Sequence, residues 1–473
     1  MTRCRRSWLW AGTAAASAFL TAGALSVTAP SMAATAPAGP VSATPQTQTP
    51  HLISSSGAPL AQIRQMVQCG STMYAVGSFT QIKRDSTTYT RNNVFSFSAT
   101  SPFKVTSWAP DVNGVVNSIA FSGNNCADAY LGGKFSAVGT TAVKDIAEVS
   151  TSTGAVVTAF GHTASGQVET LLSYQTHILA GGYFTSVNGS SADPYFASLN
   201  ATTGKDDGFV RLNISGNYSF PGVTSNGTRV YNQALSHSGT LDLVMGDFTS
   251  VGGLGRQQIF MLNLAGPTAT VTGWTSPEFD GSAGNIDQPG GYPYQCATVE
   301  PFYIQAAAWS PDDSTIYIGD TGYHPWNMPV GATPRAGLCD AAAAFPATQT
   351  SVLHEWVNYT GCDSLYAAAA DASAAYFAGH ERFSDNADDC DALGPPPALN
   401  APGMEGLNPA TGALMTNSAG TAGLYSRARG LGADDMLVTS AGLWIASDNQ
   451  DGSQTCGGVS GLSGICFLPY PAE

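Results

Sequence analysis

Three short segments gather the side chains best suited to chemistry. The first holds Asp320, Tyr323, His324 and Trp326, the second His380, Glu381, Arg382 and Asp385, and the third Asp448, Asn449 and Asp451. Histidine beside carboxylate is the usual equipment for proton transfer near neutral pH. A shared site built from His324, His380, Glu381 and Asp448 is therefore one expectation. The plainer alternative is that these residues cap strand ends and pair with one another, as Glu381 with Arg382. Asp320, Asp448 and Asp451, with backbone carbonyls, could also supply part of the roughly six to eight oxygens that calcium takes. The acidic loops DNADDCD and SDNQDG lack EF-hand spacing, so solvated loops are the alternative to a calcium site.

Aromatic residues cluster at Tyr292, Tyr294, Phe302, Tyr303, Tyr323 and Trp326. Exposed Tyr and Trp beside Asp and Asn can hold a sugar ring by stacking and hydrogen bonding. Phe302 and Tyr303, in a strand-like run, fit a packed face instead. His162, His177 and His237 read as solvent-facing loop residues. No GxSxG, HExxH or P-loop pattern occurs, which counts against the commonest motif-bearing hydrolases.

What positions these residues is a repeat. An alternating apolar strand, one or two glycines and an aromatic residue recur as MYAVGSFTQI, AYLGGKFSAVG, ILAGGYFTSVNG and DLVMGDFTSVGG, with the aromatics at Phe79, Phe135, Phe184 and Phe248. Degenerate copies follow as IYIGDTGYH, YFAGHERFSDN and LWIASDN, the very segments that carry the polar residues above. Anchored on Gly77, Gly133, Gly182, Gly246, Gly319, Gly379 and Ser447, the copies recur every 49 to 73 residues. Each unit adds an apolar segment before the glycine strand, one after it, and a fourth ending in Trp108, Phe160, Trp274 or Trp356. STSTG, NATTG and NPATG supply Asx-type turns between the third and fourth segments. Four antiparallel strands per roughly 60 residues is the size of a propeller blade.

The expectation is an all-β chain forming a single β-propeller over 51–473. It most simply has seven four-stranded blades, six or eight being alternatives. A segment near His51–Ser56 would complete the last blade. The glycines would make room where inner strands converge on a central channel, and the phenylalanines would wedge between blades. All three polar segments follow the same strand of their blades, so they should emerge on one face. The GGxFTxVxG copies with their TG turns resemble the delta-sixty type of β-propeller repeat. The whole chain resembles secreted bacterial β-propeller proteins of uncharacterised function. That resemblance implies the fold and no reaction.

Composition agrees with many short strands and turns. Only 11% of the 473 residues are charged, and Gly 53 with Pro 27 supply abundant turn residues. Residues 1–33 read as a secretory signal peptide, with Arg3, Arg5 and Arg6 before an apolar stretch and Ser31 and Ala33 before a cleavage point. Residues 34–50 read as a disordered linker. Loss of the three arginines leaves 15 basic against 33 acidic residues, a net charge of −18, which speaks against a nucleic-acid partner. No second apolar stretch is long enough to span a membrane, and a monomer is expected.

Eight cysteines follow the signal segment, an even number that suits disulfides outside the cell. Cys456 and Cys466 are close enough in sequence for a local bridge. Cys69 and Cys126 stand at equivalent positions of adjacent blades. The functional expectation is a secreted protein that recognises a glycan, a cell-wall component or a protein on one face of the disc. Its ligand contacts would be Asp320, Tyr323, His324, Trp326, His380, Glu381, Arg382 and Asp448. The alternative is a metal-dependent extracellular hydrolase or lyase using the histidines and carboxylates of the last three blades.

Overall fold

The structure, a computed structural model, describes residues 39–53, 59–122, 126–217, 227–279, 296, 302–323, 338–348, 350, 352–387, 389–450 and 455–471. The signal segment and the candidates Tyr292, Tyr294, His324, Trp326 and Asp451 lie outside the described residues. No helix among the described residues is long and apolar enough to cross a membrane.

Among the described residues, seven antiparallel meander sheets follow one another along the chain. Their glycine-bearing second strands are Thr72–Ser78, Asp128–Lys134, His177–Gly182, Leu241–Asp247, Thr315–Asp320, Ala375–Gly379 and Gly442–Ala446. Each pairs with a preceding first strand: Gln62–Cys69, Val115–Phe121, Val168–Tyr174, Arg229–Leu235, Ile304–Trp309, Leu365–Ala370 and Asp435–Thr439. Sheets four and five have four full strands. In sheets one, two, three and six the fourth strand is reduced to single bridges, Phe97 to Val105, Val149 to Val156, Leu199 to Asp206 and Leu407 to Leu414.

The first strands touch their neighbours in sequence, and that of sheet seven touches that of sheet one. They therefore enclose a central axis. The core is divided in the same way, into seven apolar clusters that each lie between two adjacent sheets. The cluster between sheets seven and one joins Trp444 and Phe467 to Phe95, Phe97 and Phe103. Phe79, Phe135, Phe184 and Phe248 are all buried in such clusters, as inter-sheet wedges must be. The tryptophans of the fourth segments add a polar clasp. Trp108, Trp274 and Trp356 donate their indole N–H to the carbonyls of Ser150, Pro346 and Pro409, each on the following sheet.

Ring closure differs from the expectation. His51–Leu52 pairs with Gln81–Arg84, in a small separate sheet that follows the second strand of sheet one, rather than extending sheet seven. The outer edge of sheet seven is covered by the residues before it: the Ser42 N–H donates to the Pro469 carbonyl at 2.8 Å and that of Gln46 to Phe467 at 2.9 Å. Val41 and Thr49 are buried, so this part of the 34–50 stretch is laid into the fold. A ring closed by chain from its opposite end leaves no free edge there.

The glycines also have a different cause. They lie on the second strand, one removed from the axis, opposite a β-bulge in the first. The register slips between Ile63 and Gln65, Val116 and Ser118, Val168 and Thr170, Val230 and Asn232, Ile304 and Ala306, and Leu365 and Ala367. A Cβ added at Gly133 would stand 2.1 Å from the Val115 carbonyl oxygen, and Gly77, Gly182, Gly246 and Gly379 face the same obstacle. Register also moves the anchor of sheet five: Asp320, not Gly319, pairs where the other sheets place that glycine.

Both expected disulfides are present. Cys69–Cys126 ties sheet one to sheet two across 5.8 Å between Cα atoms, and Cys456–Cys466 spans 6.2 Å between the third strand of sheet seven and the hairpin that precedes it. Cys296–Cys339 and Cys362–Cys390 pair the remaining four.

Candidate functional site

The first strands begin, and the second strands end, on one face. There each bulge inserts one extra residue beside the axis: Arg64, Asn117, Glu169, Tyr231, Gln305 and Tyr366. These residues meet around the channel mouth. The Asn117 amide donates to Glu169 Oε2 at 2.9 Å, and the Tyr231 hydroxyl donates to the Ile304 carbonyl beside Gln305. Burial raises the Glu169 carboxyl, while the Gln167 amide and the charges of Arg229 and Arg64 pull it back. Sheet seven has no bulge and offers Asp434, raised to about 7 by burial against the opposing pull of Arg64.

The sequence candidates lie on this face in two separate groups. His380, Glu381, Arg382 and Asp448 belong to a polar seam between sheets six and seven. Asp363 accepts from Arg382 Nε at 2.7 Å and Nη2 at 3.0 Å, and from Arg429 Nη2 at 3.2 Å. Arg382 also reaches Asp391 at 2.5 Å, so its partners are Asp363 and Asp391 rather than the adjacent Glu381. The Arg429 guanidinium donates to the His380 carbonyl at 2.5 Å. His380 Nδ1 lies 3.2 Å from the Tyr366 hydroxyl. Burial holds this imidazole below its usual pKa, Asp363 opposing and Arg429 and Arg382 assisting. Burial thus biases it toward its neutral form while it contacts the Tyr366 hydroxyl.

Glu381 stands where sheets one to four place the wedge phenylalanine, since its carbonyl accepts from Gly403 as that of Phe79 accepts from Asn93. It is fully buried beside fully buried Glu405. The Ser384 hydroxyl beside Glu405 and backbone N–H groups beside Glu381 ease the burial of these carboxyls without offsetting it. Burial pushes Glu381 up to about 8 despite the Arg427 charge, and burial with the Glu381 charge raises Glu405 further. Arg427 Nη2 is also 3.9 Å from Asp448 Oδ2. Asp448, 4% exposed, accepts backbone N–H bonds from Leu431 at 2.8 Å and Gln450 at 2.6 Å. Asn449 takes the wedge position of sheet seven and ties down the chain near Ile53, Pro59 and Ala61.

Asp320 forms the second group. Fully buried, it accepts from the Ala341 N–H at 3.0 Å and faces Asp340, whose charge adds to burial in raising it well above the carboxylate range. Tyr323 is half-buried nearby in sequence. Asp385 accepts from the Asn358 amide at 3.0 Å. Among the described residues no three His, Cys, Asp or Glu side chains are disposed to hold a metal.

Two smaller readings change. His177 lies in a strand, stacked 4.2 Å from Phe209 and paired with Asp207 at 2.7 Å, instead of facing solvent from a loop. Phe302 is buried as expected, but Tyr303 is only half-buried. The bulge residues, with Asp363, Arg427 and Arg429, were not singled out from sequence. The signal was present in the glycines, which mark where a first strand must bulge.

No protein-family model matches the chain, and no curated protein matches it. Solved structures similar to it include that of U3-55K, at 9% identity and a TM-score of 0.47, covering 90% of this chain and 100% of that one. Sqt1 of Saccharomyces cerevisiae is similar at 9% identity and a TM-score of 0.45, covering 92% and 100%. The WD40 β-propeller domain of Doa1 is similar at 11% identity and a TM-score of 0.42, covering 90% and 97%. The chain is an all-β propeller on the ground of its own closed ring of sheets.

Proposed function

We propose that this is a secreted β-propeller that binds a ligand (a glycan, a cell-wall component or a protein) on the face where the second strands end. The observation that carries the reading is the bulge shared by six sheets. It fixes the backbone at equivalent positions around one mouth, while the side chains differ from sheet to sheet. A rigid frame presenting varied polar and aromatic groups is what recognition requires. Expressed with its own leader, the chain should appear in the medium with an N-terminus at Ala34. Ligand added to it should slow amide exchange at 229–231, 303–305 and 365–366. Protection confined to the opposite face would overturn the reading.

The 3.2 Å contact between Tyr366 and His380 at the same mouth favours a second reading, a hydrolase or lyase that uses this pair for proton transfer. Turnover of a glycan that vanishes in Tyr366→Phe, with binding retained, would select it. Loss of activity on chelation would add a metal requirement.

A further inference from the structure

Sheets three to five bring an unusual group to the channel mouth. The Arg229 guanidinium lies between two tyrosine rings, 5.1 Å from the centroid of Tyr183 and 5.2 Å from that of Tyr231. It also bonds the Tyr183 hydroxyl, and the Tyr231 hydroxyl is anchored on the Ile304 carbonyl. Stacking and hydrogen bonds together fix both rings, so little side-chain freedom remains to be lost when a ligand docks. Tyr303 is a near neighbour, its phenol sensing the charges of Asp247 and Arg229 and the Tyr183 hydroxyl. Tyr183 and Tyr303 are both half-buried. Glu169 feels the Arg229 charge, and Gln305 follows Tyr303 by two residues.

Fixed aromatic faces beside carboxylate and amide groups match the two chemistries of a sugar ring, its apolar C–H face and its hydroxyl rim. Charge narrows the class. The chain carries a net −15, and the mouth sets the carboxylates of Glu169 and Asp247 beside the charges of Arg64 and Arg229. A polyanionic glycan would meet no surplus positive charge there. We propose that Tyr183 and Tyr303 form a stacking subsite for a neutral sugar unit, with Glu169 and Gln305 bonding its hydroxyls. This rests on the reading that the channel-mouth face binds a ligand.

The repeat supplies substitutions compatible with the fold. Tyr183 occupies the place of Ser78 between glycine and phenylalanine, and Tyr303 the place of Gln62. The mature protein is titrated calorimetrically with xylo-, cello-, manno- and chito-oligosaccharides, and with oligogalacturonate for contrast. One neutral series should bind, and Tyr183→Ser and Tyr303→Gln should each weaken it about tenfold while the circular-dichroism spectrum shows the fold retained. Neutral-sugar binding that survives both substitutions, or binding of oligogalacturonate alone, overturns the subsite and leaves the binding face standing. Absence of binding on that face by any sugar, cell-wall fraction or protein overturns the broader reading as well.

Discussion

Glu381 offers the sharpest quantitative test, because a buried carboxyl at a wedge position must leave a signature in the pH dependence of stability. Burial moves it from 4.5 to about 8. Between those values the native chain holds a proton that the unfolded chain has released, so stability falls as pH rises through the interval. At roughly 1.4 kcal/mol per pH unit the loss comes to about 3 kcal/mol at pH 7 and about 5 kcal/mol above pH 8. Glu381→Gln keeps the shape and removes the titration. Urea unfolding of wild type and variant at pH 5, 7 and 8.5 should show near-equal stability at pH 5. The variant should gain roughly 3–5 kcal/mol at pH 8.5, with a residual slope from Glu405. Parallel profiles would refute the reasoning. They would mean that Glu381 is ionised in the native state, with the Arg427 charge outweighing burial.

Three further outcomes follow from the same structure. Gly133→Ala, whose new Cβ would stand 2.1 Å from a backbone oxygen of the neighbouring strand, should cost about 2–3 kcal/mol in denaturant unfolding. A near-neutral result would mean that the bulge is not what demands glycine. Removing Cys69–Cys126, with a sequence separation of 57, should cost about 4 kcal/mol, measured as a lower urea midpoint of the double serine variant. Trp274→Phe leaves the Pro346 carbonyl without its indole donor and should cost about 1 kcal/mol, visible as a lower Tm.

Much of the fold was legible because its signals are local. Glycine, phenylalanine and TG turns recur at fixed offsets, and Gly154, Gly204 and Gly412 do close their turns onto Ser150, Asn200 and Asn408. The pairing of Cys69 with Cys126 followed from treating blades as equivalent. The site was less legible because its partners come together only through closure. Arg427 and Arg429 lie in the connection into sheet seven, where no repeat marks them, yet they decide which carboxylates of sheets six and seven are held and how. The degenerate copies did mark the polar half of the ring. They could not reveal that Asp320, Glu381 and Asp448 are nearly or fully buried, since a loop residue and a wedge residue look alike in a single strand's pattern.

The two halves of the ring then pose a question of balance. Sheets one to four secure the chain after the glycine strand with a buried phenylalanine, whose removal typically costs about 3–5 kcal/mol. By register sheets five to seven put Gly322, Glu381 and Asn449 there, none of which supplies that apolar contact. These three sheets each carry their own disulfide. Cys339, Cys390 and Cys456 all lie in the connection between second and third strands, and a Cβ on Gly322 would sit 3.3 Å from Cys296 Sγ. Separations of 43, 28 and 10 residues correspond to about 4, 3.6 and 2.7 kcal/mol of loop-closure entropy, close to a lost phenylalanine. The staples thus stand in for the wedges, and in sheets six and seven the vacated positions carry the polar Glu381 and Asn449. Reduction should therefore act unevenly. Under reductant, amides in 380–404 and 455–464 should lose exchange protection before those around Phe135, Phe184 and Phe248. Uniform loss around the whole ring would show that the disulfides serve closure as a whole and not the sheets that lack the wedge.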